Sequence, residues 1–269
     1  MKHAKAKTSM ISIGVTLFIS LVFCCSGIAA GTGANSENSR STLIAQQDTG
    51  EESGEEMDFL EDEDEPEMIQ VADSLRVINR AMFVFNDKAY YWVLKPVARG
   101  YRAVTPEIAR KGIRNFFFNL GMPIRFASCI LQGKGKAATG EMGRFIVNTT
   151  VGVLGFGNPA ARYPFLNPDA EDLGQTLGRY GIGNGIYIVW PILGPSTLRD
   201  SVGDAGDWFL SPVSYVDPAL AEYGIKAGEM INDTSLRIGE YESLKDAAID
   251  PYSAFRDAYL QYREEKVRK

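Results

Sequence analysis

The chain has 269 residues, of which 45% are hydrophobic, and a formal net charge of −6, so it is long enough for a domain with a substantial core. Its one histidine, His3, lies at the extreme N-terminus. The rest of the chain therefore has no histidine-based catalytic triad, no histidine-assisted thiol nucleophile and no histidine metal site. We expect a protein that is not an enzyme and that uses no metal and no cofactor.

Residues 1–30 predict a secretory signal peptide. Three lysines, Lys2, Lys5 and Lys7, precede an apolar run from Met10 to Phe23, and small residues follow the run. The run is short and interrupted by Ser and Thr, which disfavours the alternative of a single transmembrane anchor.

Two cysteines, Cys24 and Cys25, end the apolar run at the place where a bacterial lipoprotein carries its lipid-modified cysteine. Cys25 fits this role better, because bulky Phe23 directly precedes Cys24. Cleavage a few residues later would remove both cysteines, so lipid modification and simple cleavage both stay open. Cys129 is the remaining cysteine, so no disulfide within the folded part is expected.

Residues 31–68 predict an acidic tether ahead of a helical domain at residues 69–269. Eleven of the 17 residues from Glu51 to Glu67 are acidic and none is basic. Such a segment cannot bury enough apolar surface to fold. A solvated tether is the simpler interpretation, and a docking tail for a basic partner is the alternative.

Charge is divided unevenly along the predicted domain. Residues 73–145 contain 13 basic and 4 acidic residues, a net +9, whereas residues 146–269 contain 11 basic and 17 acidic residues, a net −6. A basic half rich in aromatic residues could face anionic lipid head groups. It could also bind nucleic acid, but secretion argues against a nucleic-acid partner.

A first helix is predicted over residues 72–104, where apolar residues recur every three or four positions. We expect Asp73 or Ser74 to cap its start, and Pro96 to kink or end it. Its apolar face is wider than a small core needs, which suits a thick core or a membrane interface. The surplus aromatic residues on this helix are Phe83, Tyr90, Tyr91 and Trp92.

Further helix signals follow in order. Residues 105–107, Thr-Pro-Glu, have the cap, proline and acid typical of a helix start, Gly121 ends that helix, and Pro123 opens the next. Another helix is predicted over residues 139–151. The last helices are predicted to begin at Asp217-Pro218 and at Asp250-Pro251. From this series of helices we assign the chain to the all-α class.

Two segments present more apolar surface than one helix face can bury. Phe116, Phe117 and Phe118 are consecutive, so we expect some of them to contact a partner helix and others to contact lipid or another protein. Residues 152–157 form an apolar glycine loop that would promote aggregation in water but not against lipid.

Residues 174–200 contain six glycines and two prolines. We predict a short helix from Leu173 to near Gly181, a glycine hairpin at Gly181–Gly185, a strand-like segment at residues 186–189, and a new helix opening at Pro195. A buried crossover loop and a functional loop lining a passage both remain open.

Three acids, Asp200, Asp204 and Asp207, share one face of the predicted helix that follows. An acid-only lipid hydrolase or a Ca²⁺ site could use such a set. A solvated face, or pairing with Arg199, is the commoner arrangement.

The sequence resembles the MlaA (VacJ) lipoprotein family over about residues 73–260. The resemblance rests on an ordered series of short matches. These are residues 79–86 (NRAMFVFN), 95–98 (KPVA), 115–116 (NF), 119–120 (NL), 131–133 (LQG), 144–149 (RFIVNT), 174–178 (GQTLG) and 193–200 (LGPSTLRD).

The resemblance implies an all-α single domain of amphipathic helices arranged as a ring in the inner leaflet of the outer membrane, beside a trimeric porin. Its channel would pass mislocalised outer-leaflet phospholipids to a soluble periplasmic lipid-carrier protein and so maintain lipid asymmetry. An acid-only lipid hydrolase, and a structural tether that binds a porin but no lipid, are the alternatives.

The resemblance also suggests residues for particular roles. Cys25 and Cys24 are candidates for the lipid anchor. The candidates for the channel or its rim are Arg114, Asn115, Phe116, Gly181, Gly183, Gly185 and Tyr187.

Overall fold

A computed structural model describes residues 73–269 of the chain. The predicted signal peptide, the acidic tether and both anchor cysteines lie outside the described residues. The elements in chain order are α1 (Arg76–Ala89), a π-helical segment (Tyr90–Leu94), α2 (Lys95–Val104), α3 (Glu107–Leu120), α4 (Met122–Leu131), α5 (Gly135–Thr150), α6 (Leu173–Arg179), β1 (Tyr187–Trp190), β2 (Gly194–Thr197), α7 (Leu198–Leu210), α8 (Ala219–Leu236), α9 (Glu240–Ala247) and α10 (Pro251–Arg268). The all-α class is confirmed, with one short hairpin.

The first predicted helix continues through Pro96 instead of ending there. The π-helical segment lies immediately before α2, and the backbone N–H of Lys95 donates to the carbonyl of Tyr90, five residues back. This wider turn already interrupts the i→i−4 ladder, so the missing N–H of Pro96 costs little and the helix goes on.

The predicted caps of this helix are wrong. Leu75 occupies the N-cap position and makes no side-chain cap. The carboxylate of Asp73 is instead used in tertiary contacts, because it accepts from Asn79 Nδ2 at 2.9 Å and from the Tyr252 hydroxyl at 2.7 Å.

Most other helix ends lie at the glycine and proline residues from which they were predicted. Gly121 follows α3 and Pro123 lies in the first turn of α4, as predicted. Pro218 precedes α8, and Pro251 is the first residue of α10. Helix α9 was not predicted, and α5 begins at Gly135 rather than near residue 139.

The glycine-rich stretch matches the prediction in part. The short helix from Leu173 is α6, and the strand-like segment at residues 186–189 is β1, shifted by one residue. The hairpin and the start of the next helix differ from the prediction. The hairpin is formed by β1 and β2, which pair antiparallel with Tyr187 opposite Thr197 and Trp190 opposite Gly194. Residues 181–185 are an irregular loop and not a hairpin. Pro195 lies inside β2 and does not open a helix. Helix α7 begins at Leu198, because Thr197 Oγ1 accepts from the backbone N–H of Asp200 and caps the helix.

The elements contact one another in a closed circuit. Helix α1 packs on β1, β1 pairs with β2, and β2 packs on α7, which packs on α6. From α6 the contacts pass to α4, then to α3, α8 and α2, and the π-helical segment joins α2 back to α1. Helix α10 packs on α6 and β2. Such a circuit leaves room for an interior space between its members.

Candidate functional site

A cavity of about 600 Å³ lies between α1, α2, α8, α10 and the hairpin. Its walls are almost wholly apolar, with aromatic rings from α1, β1, α9 and α10 and aliphatic side chains from α2 and α8. Its lining residues include Phe83, Phe85, Val93, Val97, Tyr187, Ile192, Ala227, Met230, Ile231 and Tyr241. A space of this size and polarity suits an apolar ligand.

Two asparagines on α1 hold the hairpin as one wall of this cavity. Asn79, which is 1% exposed, donates to the carbonyl of Tyr187 at 2.9 Å and accepts from the N–H of Val189 at 2.9 Å. About two helical turns later, Asn86 donates to the carbonyl of Trp190 at 2.8 Å and accepts from the N–H of Ile192 at 2.5 Å. Each side-chain amide thus satisfies a donor and an acceptor of the hairpin, as a neighbouring strand would.

A polar cluster joins α9 to the π-helical segment at the edge of the cavity. Glu242 accepts from the Tyr90 hydroxyl at 3.0 Å and forms an ion pair with Lys95. Burial raises the pKa of Glu242, but the hydrogen bonds from Lys95, the backbone and Tyr90 outweigh burial and lower the pKa to about 2. The carboxylate is therefore ionised at neutral pH and ties the two elements together.

A second, polar pocket of about 290 Å³ lies between α3, α5, the segment at residues 158–170 and α10. It shares no lining residue with the apolar cavity. Its lining includes Arg114, Asn115, Arg144, Asn167 and Lys266.

The surface carries many exposed apolar side chains. They include side chains of α1, of the π-helical segment and of residues 151–156, where Val153 and Leu154 are 70% and 63% exposed. Within residues 73–269 no helix combines the length and the apolar character needed to cross a membrane. The exposed apolar residues include Val77, Trp92, Val93, Val104, Ile108, Val151, Val153, Leu154 and Phe209.

Two apolar residues of the loop after α5 have a strained backbone conformation. Val153 and Leu154 have φ of 54° and 56°, in the left-handed region that a β-branched residue such as valine rarely adopts. Strain of this kind persists where the surrounding structure holds it, and it is common at functional sites.

Two acids of the predicted acidic helix face, Asp200 and Asp207, are buried and hydrogen-bonded within the chain. The carboxylate of Asp200 is buried and accepts from Arg263 at 2.8 and 3.0 Å and from the Tyr259 hydroxyl at 2.7 Å. Burial raises the pKa of Asp200, but Arg263 and Arg199 outweigh it and lower the pKa. Asp207 is 1% exposed and accepts from the N–H of Leu173. The expected pairing with Arg199 is present at 3.0 Å, and Arg263 is the partner that the sequence did not indicate.

The described residues contain no group of three or more acidic, histidine or cysteine side chains placed to hold a metal ion.

Two glycines on α6 and one on α7 allow α6 to pack closely on its neighbours. A Cβ at Gly174 would lie 2.7 Å from Arg263 Nη2, and one at Gly203 on α7 would lie 2.3 Å from the backbone nitrogen of Gly174. A Cβ at Gly178 would lie 2.7 Å from Val267 Cγ2 on α10. These three glycines therefore bring three helices together around the Arg263 ion pairs.

The structure separates the residues predicted for the rim. Arg114 and Asn115 line the polar pocket. Phe116 packs instead against Phe156, with the ring centroids 5.1 Å apart. Phe118 lies beneath two arginines of the chain, and Phe117 lines a small third pocket. Each of the three phenylalanines contacts other residues of the chain. The fold therefore does not need lipid or another protein to cover these rings.

The other residues predicted for the channel or its rim are also divided. Gly181, Gly183 and Gly185 lie in the irregular loop between α6 and β1. Tyr187 is 1% exposed and lines the apolar cavity. Sequence reasoning missed the cavity walls on α1 and α8, although the surplus aromatic residues of the first helix were a signal for the α1 wall.

Comparison with known proteins identifies related chains. The model of the MlaA lipoprotein family matches residues 71–266. The chain is 33% identical over 206 residues to a Haemophilus influenzae protein called intermembrane phospholipid transport system lipoprotein MlaA, which covers 72% of this chain and 79% of that protein. It is 32% identical over 195 residues to the Escherichia coli K12 protein of the same name, covering 71% and 76% respectively.

A solved structure has the same fold. It was described as the structural basis for maintenance of bacterial outer membrane lipid asymmetry, and it matches with a TM-score of 0.65 and 33% identity. The match covers 73% of this chain and 99% of that one.

Proposed function

The chain belongs to the MlaA lipoprotein family, and we propose on this basis that it transports phospholipids at the bacterial outer membrane and so maintains lipid asymmetry. The family is one of lipid-transport lipoproteins rather than known enzymes. The observation that carries the proposal is the apolar cavity inside the closed circuit of helices. Its volume of about 600 Å³ and its apolar lining suit acyl chains. Each CH₂ group buried there would gain about 0.8 kcal/mol.

The exposed apolar residues support a position within one leaflet. Residues 73–145 have a net charge of +9. They include helices α1 to α4, where many of these apolar residues lie. Positive charge beside apolar side chains favours a surface of anionic head groups over acyl chains. We place the ring of helices in the inner leaflet of the outer membrane, held by these side chains and by a lipid on Cys25 or Cys24.

Two protein partners complete the proposal. A trimeric porin beside the ring and a soluble periplasmic lipid-carrier protein both follow from the family resemblance. Cross-linking in intact cells, followed by identification of the captured proteins, tests both. Recovery of a porin without any carrier or any bound lipid would favour the structural tether.

The cavity is tested by filling it. Ala227 is a small residue of α8 in the cavity wall, and Ala227→Trp places an indole where acyl chains would lie. We expect a several-fold loss of phospholipid co-purifying with the protein, measured by mass spectrometry of the detergent-extracted chain.

The matched control is Ala247→Trp, at an exposed position near the end of α9. It introduces the same side chain away from the cavity and should leave the bound phospholipid unchanged. Equal occupancy in both variants would contradict a lipid site in this cavity. Recovery of lysophospholipid or free fatty acid would favour the hydrolase.

A further inference from the structure

The polar pocket between α3, α5 and α10 has more positive charge than it can neutralise. Arg114 lines it, is half-buried, and has no hydrogen-bond or ion-pair partner among residues 73–269. Lys266 also lines it and faces Asp169 with a separation of 3.4 Å between Nζ and Oδ1. This pair is neutral, so the charge of Arg114 remains uncompensated.

A second uncompensated charge comes from a buried cluster at the pocket wall. The Glu141 carboxylate, which is fully buried, lies 2.9 Å from Arg125 Nε and 3.1 Å from Arg144 Nη1. Two guanidinium groups share one carboxylate, so the cluster keeps a net charge of +1. Arg144 itself lines the pocket and is held in place by the carbonyls of Leu166 and Pro168.

Neutral polar groups complete the lining. Asn115 donates to the carbonyl of Phe156 at 3.2 Å, and Asn167 donates to that of Ala160 at 2.9 Å. These hydrogen bonds fix the positions of both amides at the pocket wall. The volume of about 290 Å³ has room for several water molecules, and hence for a small polar group.

We propose that this pocket binds a phosphate group through Arg114, with the Arg144 cluster supplying further positive charge and Lys266 neutralising the carboxylate of Asp169. A guanidinium group offers a planar pair of donors that matches two phosphate oxygens. The group could be the phosphodiester of a phospholipid head group or inorganic phosphate. The head-group assignment rests on the proposed function, whereas phosphate binding as such does not.

The test uses the full chain purified in detergent and three probes in isothermal titration. These are short-chain phosphatidylglycerol, diacylglycerol with the same acyl chains, and inorganic phosphate. We expect phosphatidylglycerol to bind more tightly than diacylglycerol. Arg114→Gln should weaken phosphatidylglycerol binding about tenfold, the effect of losing a charged hydrogen bond, and leave diacylglycerol binding unchanged.

Arg179→Gln is the matched control, because Arg179 is exposed on α6 and lies outside the pocket. It removes the same charge and should change no affinity. Lys266→Gln is a second pocket variant and should weaken phosphatidylglycerol binding in the same direction. The circular dichroism spectrum of each variant should match that of the wild-type chain.

The outcomes separate the two proposals. Inorganic phosphate that binds as tightly as phosphatidylglycerol, and is lost in Arg114→Gln, supports the pocket with free phosphate as its ligand. If the pocket variants alter the binding of neither phosphatidylglycerol nor inorganic phosphate, the phosphate site is overturned and the transport proposal stays intact. Phosphate binding without any lipid binding overturns transport and keeps the pocket, and no binding of any probe overturns both.

Discussion

The side chain of Asn79 makes three hydrogen bonds, two of which join α1 to the hairpin. It lies on α1, but its hydrogen bonds go to Asp73 and to the backbone of β1 at Tyr187 and Val189. Three partners are satisfied by one buried amide, so its removal leaves buried donors and acceptors unpaired. Each such group costs about 1–3 kcal/mol.

We therefore expect Asn79→Ala to lower the free energy of unfolding by roughly 3 kcal/mol, measured by chemical denaturation in detergent. Arg80→Ala is the control, because Arg80 is the next residue on the helix and its ion pair with Asp250 is half exposed. Its expected cost is below about 1 kcal/mol. Equal effects of the two variants would contradict the clamping role of Asn79.

The partly buried carboxyl group of Glu229 makes the stability of the fold depend on pH. Burial, with a smaller contribution from the charge of Asp233, raises the pKa of Glu229 from 4.5 to about 7. Asp204 and Asp207 on α7 line the same small pocket, as does Lys226 on its own helix. The folded state thus keeps a proton that the unfolded chain releases at lower pH.

The folded chain binds more protons than the unfolded chain between pH 4.5 and about 7, so stability should fall across that window as pH rises. The loss is at most ~3 kcal/mol. Glu229→Gln should abolish this slope and stabilise the protein at pH 8, whereas Glu240→Gln, at an exposed position, should not. Thermal melting temperatures between pH 4.5 and pH 8 provide the measurement. A slope retained in Glu229→Gln would assign it to another group.

At the scale of elements, the ion pairs of Arg263 fix α10 against α6 and α7. Its guanidinium donates to Asp172 at 2.6 and 2.9 Å and to Asp200 at 2.8 and 3.0 Å. Burial opposes the charge of Arg263, but the two carboxylates outweigh it and raise its pKa well above the ordinary value. The close approach at Gly174 brings these groups together.

Arg263→Met should cost about 3–5 kcal/mol of unfolding free energy, because it leaves the Asp200 carboxylate buried with a lost partner. Arg268→Met is the control on the same helix, since Arg268 is exposed and pairs with Glu264. Its expected effect is below about 1 kcal/mol. Urea denaturation of both variants gives the comparison, and a small effect of Arg263→Met would show that the ion pairs are not what docks α10.

The sequence predicts an element correctly where the residues that determine it lie within or beside that element. Gly121, Pro123, Pro218 and Pro251 act on their own backbone, so the helix ends beside them were predicted correctly. The hairpin was placed wrongly, because Asn79 and Asn86 hold it from more than 100 residues away. The cavity and the Arg263 ion pairs also join distant segments, so no local pattern contains them.

At the scale of the whole molecule, the exposed apolar residues and the basic half favour attachment to one membrane face. The loop at residues 152–157 provides the sharpest test, because Val153 is both exposed and in a left-handed backbone conformation. Asp tolerates this conformation better than valine does. Val153→Asp should therefore leave folding intact while removing an apolar side chain from the membrane.

We expect Val153→Asp to reduce binding to anionic vesicles about tenfold or more, since burying one valine side chain gains about 1.5–3 kcal/mol. Flotation of protein with vesicles measures this binding, and thermal melting checks the fold. Ser243→Asp, at an exposed position on α9, adds the same charge and should bind normally. If Val153→Asp also binds normally, the loop does not enter the bilayer.

The nearly uniform apolar wall of the large cavity has a consequence for bacterial physiology. Side chains such as Val93, Met230 and Ile231 make dispersion contacts that depend little on where a fatty acid has its double bond or where it ends. Bacteria that adjust membrane fluidity to temperature by altering acyl saturation would then need no altered transporter. The same protein would serve a cold-grown and a warm-grown envelope.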